Sequence, residues 1–351
     1  MRDEPPDDRP NTHNSASGGV FHSPVVQTGQ VRDVHIHQGA SGKPPSRPRL
    51  VALVAVLACL AGAIAAVSLG GLLEGRTPSG TASPVPESGH LYAISSKDAT
   101  VWSWSSRTGW TQIGGTPAGE IAAGPAGLFA TNPVDGRIFR YGDAGGWESV
   151  GTGTDGQTLA VGDHLWVRDS GAVRQWDPRT RAWTTVRNGP TAEIYGGPAG
   201  LFATEPAGEH ALTRREPDTG KWLLTGRGAL GFAVGERLYG LSRMDLRVYR
   251  WNGSGGVDDW TPLGEAEFDG VHAGGAGLFA TRDGRLFAYD EVSGRWRGTG
   301  DAAGSGAAYA VAADHVYRQD SEGVWQWTGT ARREGAWVRI GTPAAGLAAS
   351  G

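Results

Sequence analysis

WTQIGGTPAGEIAAGPAGLFAT at residues 110–131, followed by GRIFRYGDAGGW at 136–147, opens and closes on tryptophan and holds short apolar segments between turn signals. The tryptophans keep that step along the chain. Trp110, Trp147, Trp183, Trp222, Trp260, Trp296 and Trp337 follow one another at 36 to 41 residues, the length of one propeller blade.

Three further series keep the same period. An aliphatic–aromatic pair recurs as Leu91-Tyr92, Leu128-Phe129, Leu165-Trp166, Leu201-Phe202, Leu238-Tyr239, Leu278-Phe279 and Val316-Tyr317. Another runs Trp104, Tyr141, Trp176, Arg214, Trp251, Tyr289 and Trp327, with Arg214 standing where an aromatic is expected. The last is small and apolar, from IAAG at 121–124 to LAAS at 347–350. Its Ala and Gly residues suit inner strands crowded around a channel. Asp135-Gly136, Ser170-Gly171, Asp283-Gly284 and Glu322-Gly323 fall between second and third segments, where Gly supplies the positive φ of a tight hairpin.

Four strands per unit and seven units predict an all-β, seven-bladed β-propeller of four-stranded blades over residues 90–351. The first unit starts at Leu91 with no small strand ahead of it, and the last ends on a spare one at 347–350. Pairing the two closes the ring and removes an open edge.

All 14 tryptophans lie at or after Trp102, so the first hundred residues are a different kind of text. Leu50–Leu73, LVALVAVLACLAGAIAAVSLGGLL, carries no charge. Its length of roughly 36 Å as a helix exceeds a hydrocarbon core of about 30 Å, which predicts a transmembrane helix at 50–73. A cleaved signal peptide is the rival, but the run is longer than an h-region and follows a long polar stretch. Arg32, Lys43, Arg47 and Arg49 precede it, against Arg76 closely after. Positive charge stays inside, which sets the N-terminus in the cytoplasm and the propeller outside the cell membrane. Residues 74–89 are a Gly/Ser/Thr/Pro spacer, and residues 1–49 read as a disordered tail.

A net charge of −4 gives no electrostatic reason to expect nucleic acid. The single cysteine, Cys59, allows no intrachain disulfide and sits inside the apolar run.

Units such as 110–131 with 136–147 resemble tectonin-type β-propeller repeats, and the likeness recurs over residues 90–351. That family includes lectins that bind sugars on microbial surfaces, so the resemblance implies a glycan ligand. It does not carry over individual sugar-binding residues.

Within the tail, NSASGGVFHSPVVQTGQVRDVHIH at 14–37 is rich in β-branched residues, and Val34–His37 alternates apolar with histidine. One such strand buries its face only when stacked with copies of itself. Asn14, Ser17, Gly18, Val20, Val25, Val26, Gln27, Gly29, Val31, Val34 and Ile36 resemble the amyloid-signalling motifs of actinobacterial proteins, related to the homotypic interaction motif of necroptosis kinases. The resemblance implies a cytoplasmic effector with a matching motif as partner.

No HExxH, GxSxG or P-loop is present, so neither an enzyme, a cofactor nor a metal site is expected. His90, His164 and His315 recur just before the aliphatic–aromatic pair and read as turn residues, as do Asp98, Asp135, Asp163, Asp283 and Asp314. His272 lies on an inner strand, alone. Asn132, Glu205, Arg214, Arg243 and Arg247 interrupt the repeat with polar side chains and are the candidates for ligand binding.

The expected protein is a membrane-anchored sensor whose propeller binds an extracellular glycan or protein, and whose tail nucleates amyloid-type signalling. The alternative is a surface-anchored lectin or adhesin with no signalling role. Deleting residues 14–37 separates the two.

Overall fold

The computed structural model describes Thr28, Gly29 and residues 89–350, apart from 143, 153–157, 207–209, 255 and 304–306. Expectations for the tail, the run Leu50–Leu73 and the spacer lie outside the described residues, save at Thr28, Gly29 and Gly89. No helix among the described residues is long and apolar enough to cross a membrane.

Seven antiparallel sheets follow the seven sequence units. In blade 2, Glu120–Gly124, Gly127–Thr131, Arg137–Tyr141 and Trp147–Thr152 pair in that order from the centre outward. Blades 3, 4, 5 and 6 span 158–187, 193–226, 231–262 and 270–298, and blade 7 spans 308–341. The first strand of each blade touches that of the next in an unbroken circle, so the sheets form a closed ring.

Blade 1 is built from both ends of the repeat array. Ala344–Ala349 lies beside Leu91–Ser95, with Leu91 opposite Ala349 and Ala93 opposite Leu347, and Val101–Ser105 and Gly109–Gln112 complete the sheet. The fold is therefore the seven-bladed propeller expected, closed as expected. Thr28–Gly29 adds a two-residue strand to the inner edge of this sheet, Thr28 opposite Ala348.

The core lies between blades. Phe129, Phe202, Phe279 and Tyr317, from the aliphatic–aromatic series, are fully buried there, each burial stabilising by about 1.5–3 kcal/mol. The periodic outer tryptophans do a second job. Trp147, Trp183, Trp222, Trp260 and Trp296 donate their indole N–H to the carbonyls of Ile113, Val150, Val186, Thr225 and Leu263, at 2.6–3.0 Å. Each acceptor lies on the outer strand of the preceding blade or one residue past it, three residues after that blade's own tryptophan. The next residue is glycine in six blades: Gly114, Gly151, Gly226, Gly264, Gly300 and Gly341. A Cβ at Gly114 would stand 2.7 Å from the Trp147 indole nitrogen, and one at Gly151 would stand 2.5 Å from that of Trp183. Blade 3 has Arg187 there instead, and its guanidinium lies 4.8 Å from the Trp222 ring.

Two local expectations are corrected. The third strand of blade 4 pairs Arg215, not Arg214, with the outer Trp222. Elsewhere the aromatic pairs with the outer tryptophan, as Trp176 does with Trp183. Arg215 thus holds the aromatic position, and Arg214 sits one residue away, on the other face of the strand. Asp283-Gly284 and Ser170-Gly171 are hairpin turns with positive φ at both residues, and Gly136 also has positive φ. Gly323 does not. It is glycine because a Cβ there would meet the Gly341 carbonyl oxygen at 2.5 Å.

Candidate functional site

A cleft of about 370 Å³ opens between blades 5 and 6, at the end of the ring where first strands turn into second strands. Blade 5 supplies Arg237 from the turn before Leu238–Leu241 and Tyr239 from that strand. Gly235 N–H donates to the Arg237 carbonyl, which closes the turn. Blade 6 supplies Tyr289, Asp290 and Glu291 from the end of Arg285–Asp290 and the turn beyond it. Arg332 reaches in from blade 7. Gly274, Gly275 and Gly277 also line the cleft, and Gly277 has a φ of 123° that a side chain would strain.

The charges are held by one another. Glu291 accepts from the Tyr239 hydroxyl and from the Arg250 guanidinium, each at 3.4 Å. Asp290 accepts from the Ser293 hydroxyl at 2.7 Å, the Val292 amide at 3.1 Å and Arg332 Nε at 3.2 Å. These bonds, that of Ser293 foremost, hold its carboxyl below the usual range. Burial, then the Glu291 charge, pushes Tyr239 up to about 12. The same two causes raise Tyr289. Both phenols are therefore neutral hydroxyls at physiological pH: that of Tyr239 gives its proton to Glu291 and can accept a further bond, and that of Tyr289 can donate and accept. Arg237 is exposed at the rim. This arrangement suits a ligand rich in hydroxyls or amides, gripped by many directional bonds.

The sequence candidates lie elsewhere. Asn132, Glu205, Arg243 and Arg247 sit in or beside turns between second and third strands, at the opposite end of the ring from the cleft, in blades 2, 4 and 5. Each fastens its own turn or a neighbour: Asn132 accepts from the Val134 amide, Glu205 pairs with Arg187 at 3.2 Å, Arg243 donates to the Ala229 carbonyl, and Arg247 pairs with Glu265 at 2.6 Å. Arg214 stacks 5.2 Å from the Trp251 ring. The fold does not bring these five together. Asn14 to Ile36 of the tail motif lie outside the described residues, except the backbone strand at Gly29.

The repeat accounts for Tyr239 and Tyr289 as periodic aromatics and does not mark Arg237, Asp290, Glu291 or Arg332. One signal was available. Arg237 stands where His90, His164 and His315 stand in other units.

The His164 and His315 carbonyls close their turns by accepting from Gly162 and Ala312, and the His90 carbonyl accepts from Ser350 where the last strand meets the first. His272 is buried with its ring 5.1 Å from that of Tyr309, and burial pulls its pKa down to about 4. No group of three or more metal-ligating side chains occurs among the described residues.

No family model matches the sequence, and no curated protein matches it. Solved propellers are similar in shape. TolB from Acinetobacter baumannii is 12% identical with a TM-score of 0.45, covering 76% of this chain and 68% of that one. A putative 6-phosphogluconolactonase from Bacteroides fragilis is 11% identical with a TM-score of 0.48, covering 76% and 98%. Virginiamycin B lyase from Staphylococcus aureus is 14% identical with a TM-score of 0.46, covering 69% and 89%. At such identities nothing about ligand or activity passes to this chain.

Proposed function

We propose that this protein is a membrane-anchored sensor: the propeller binds a hydroxyl-rich ligand outside the cell, and the tail passes the event on by cross-β assembly with an effector. The observation that carries the binding half is the cleft between blades 5 and 6. Its walls come from blades 5, 6 and 7 and offer two neutral phenols, three carboxylates and two guanidinium groups in a space of about 370 Å³. The likeness of residues 90–351 to tectonin-type repeats points to the same ligand class, a glycan. No nucleophile or metal is needed for that role, and we assign the protein no reaction.

Three sequence features support the signalling half. Leu50–Leu73 is uncharged and long enough to span, basic residues precede it, and residues 14–37 resemble an amyloid-signalling motif. A single helix transmits a change of shape poorly, whereas assembly depends steeply on local concentration. Ligand-driven clustering is therefore the trigger. The pairing of Thr28–Gly29 with Leu347 and Ala348 bears directly on this arrangement. A chain that crosses the bilayer once between the two holds them on opposite faces and cannot make that pairing, so the pairing counts against the arrangement.

The test uses the full chain and a chain lacking residues 14–37, both in cells with a fluorescent effector carrying a matching Val-Gln-x-Gly segment. Surface binding is expected in both, and effector assembly only in the full chain. Equal effector behaviour in the two chains, with binding retained, leaves the surface-anchored lectin or adhesin.

A further inference from the structure

Blades alternate in kind. Blades 2, 4 and 6 begin their second strand with Gly-Leu-Phe-Ala-Thr, at 127–131, 200–204 and 277–281. Blades 1, 3, 5 and 7 carry His90, His164, Arg237 and His315 before the aliphatic–aromatic pair. The backbone follows the text. Ala126, Ala199 and Ala276 donate their N–H to Gly162, Gly235 and Ala312 of the next blade, at 2.8, 3.0 and 2.7 Å. Those bonds staple blade 2 to 3, 4 to 5 and 6 to 7, at the end of the ring that holds the cleft. Seven is odd, so two blades of the second kind must meet, and there Ala313 N–H reaches the Ser350 carbonyl at 3.2 Å.

Among the described residues the interfaces without such a bond are 1/2, 3/4 and 5/6, and the cleft already described lies at 5/6. At 3/4 the space is taken. Trp166 replaces tyrosine, and a Cβ at Gly162 or Gly196 would stand 3.0 Å from its ring. Arg215 replaces the second tyrosine there. At 1/2 both tyrosines remain. Tyr92 and Tyr141 hold the register positions of Tyr239 and Tyr289, as their pairings with Ser103 and Trp147 show beside those with Arg250 and Trp296. Gly127, with φ 120°, matches Gly277 at 123°, and His90 stands for Arg237. Burial first, and then the charge of Tyr141 once ionised, raise the Tyr92 phenol above its ordinary range.

We propose that blades 1 and 2 carry a second binding site built on the same pair of tyrosines, with Gly142 in the place of Asp290, so that one ring engages two hydroxyl-rich units. Sites nearly across the ring from one another, on the same end, suit a polymer of repeating sugars. Two weak sites on one rigid body raise avidity without a new contact. This inference rests on the reading of the 5/6 cleft as a binding site.

The full chain in detergent micelles, labelled with 3-fluorotyrosine at its 8 tyrosines, resolves the two sites by fluorine NMR. Tyr→Phe variants assign the resonances. The probes are the methyl glycosides of glucose, N-acetylglucosamine and glucuronic acid, each titrated separately. With at least one glycoside, the Tyr92 and Tyr239 resonances are both expected to shift. Tyr141→Phe then weakens the Tyr92 titration about tenfold and spares that of Tyr239, and Tyr289→Phe does the reverse. A shift at Tyr239 alone overturns the second site and leaves the first. No shift at either position with any of the three overturns both.

Discussion

Trp110 donates its indole N–H to the carbonyl oxygen of Ile340 at 2.7 Å, across 230 positions of sequence. The bond repeats between blades 7 and 1 what five other outer tryptophans do between consecutive blades. Ring closure thus uses the same device as ring propagation. The interface between blades 6 and 7 is different: among the described residues the Trp337 indole nitrogen has no partner. Arg318 lies 4.8 Å from its ring, at the position where other blades place Ala93, Ala130, Ala203 or Ala280.

Trp110→Phe and Trp147→Phe should therefore lose more stability than Trp337→Phe. The difference is the indole–carbonyl bond, about 1 kcal/mol. Urea unfolding of the three variants measures it. Equal losses would mean that the bond adds nothing beyond packing.

The glycines beneath those tryptophans make a sharper comparison. Gly114→Ala forces a methyl group against the Trp147 indole and should cost about 1–3 kcal/mol. A Cβ at Gly115, one residue on, meets nothing within 4 Å. Gly115→Ala should be neutral or stabilise by about 0.4–1 kcal/mol through the unfolded chain. If both changes melt at the same temperature, the close approach is not what selects glycine.

The seven units, their four strands and the closure in blade 1 were all legible, because each blade repeats one solution to one packing problem. The register of blade 4 was not. Without an aromatic in its third strand, counting from Leu201-Phe202 slips by one and selects Arg214 over Arg215. The cleft was illegible for a related reason. Tyr239 and Glu291 are 52 positions apart, and periodicity places each within its blade without saying that the two meet. Polar interruptions draw attention to Arg243 and Arg247, which tie their turn to Ala229 and Glu265. Arg215→Tyr tests the corrected register. It restores the aromatic column and should raise stability by about 0.5–2 kcal/mol. Arg214→Tyr, one residue away, should not.

His272 makes stability depend on pH. Its folded pKa of about 4 lies below the ordinary value of 6.5 because burial disfavours the charged ring. Asp269, whose charge favours protonation, offsets part of this. Between those two values the unfolded chain binds the proton and the folded chain does not. Stability is therefore complete above about pH 6.5 and falls as pH drops toward 4, by about 3 kcal/mol in all. His272→Gln should flatten that slope in urea titrations at pH 4.5 and 7. A slope unchanged by the substitution would assign the acid sensitivity to other groups.

The two-residue strand at Thr28–Gly29 gives the most direct test of the membrane arrangement. Thr28 lies opposite Ala348 on the innermost strand of blade 1, and antiparallel partners stand about 4.5–5.5 Å apart at Cα. That distance suits a disulfide. Thr28→Cys with Ala348→Cys, in a Cys59→Ala background, is therefore a reporter of whether both residues share a compartment. If Leu50–Leu73 spans the bilayer, oxidation of intact cells should leave the pair unjoined, and external protease should remove the propeller while sparing the tail. A rapid, high-yield disulfide within single chains would place the tail on the propeller's side. It would end the transmembrane reading and the signalling scheme with it, yet the cleft between blades 5 and 6 would stand, since none of its residues depends on the tail.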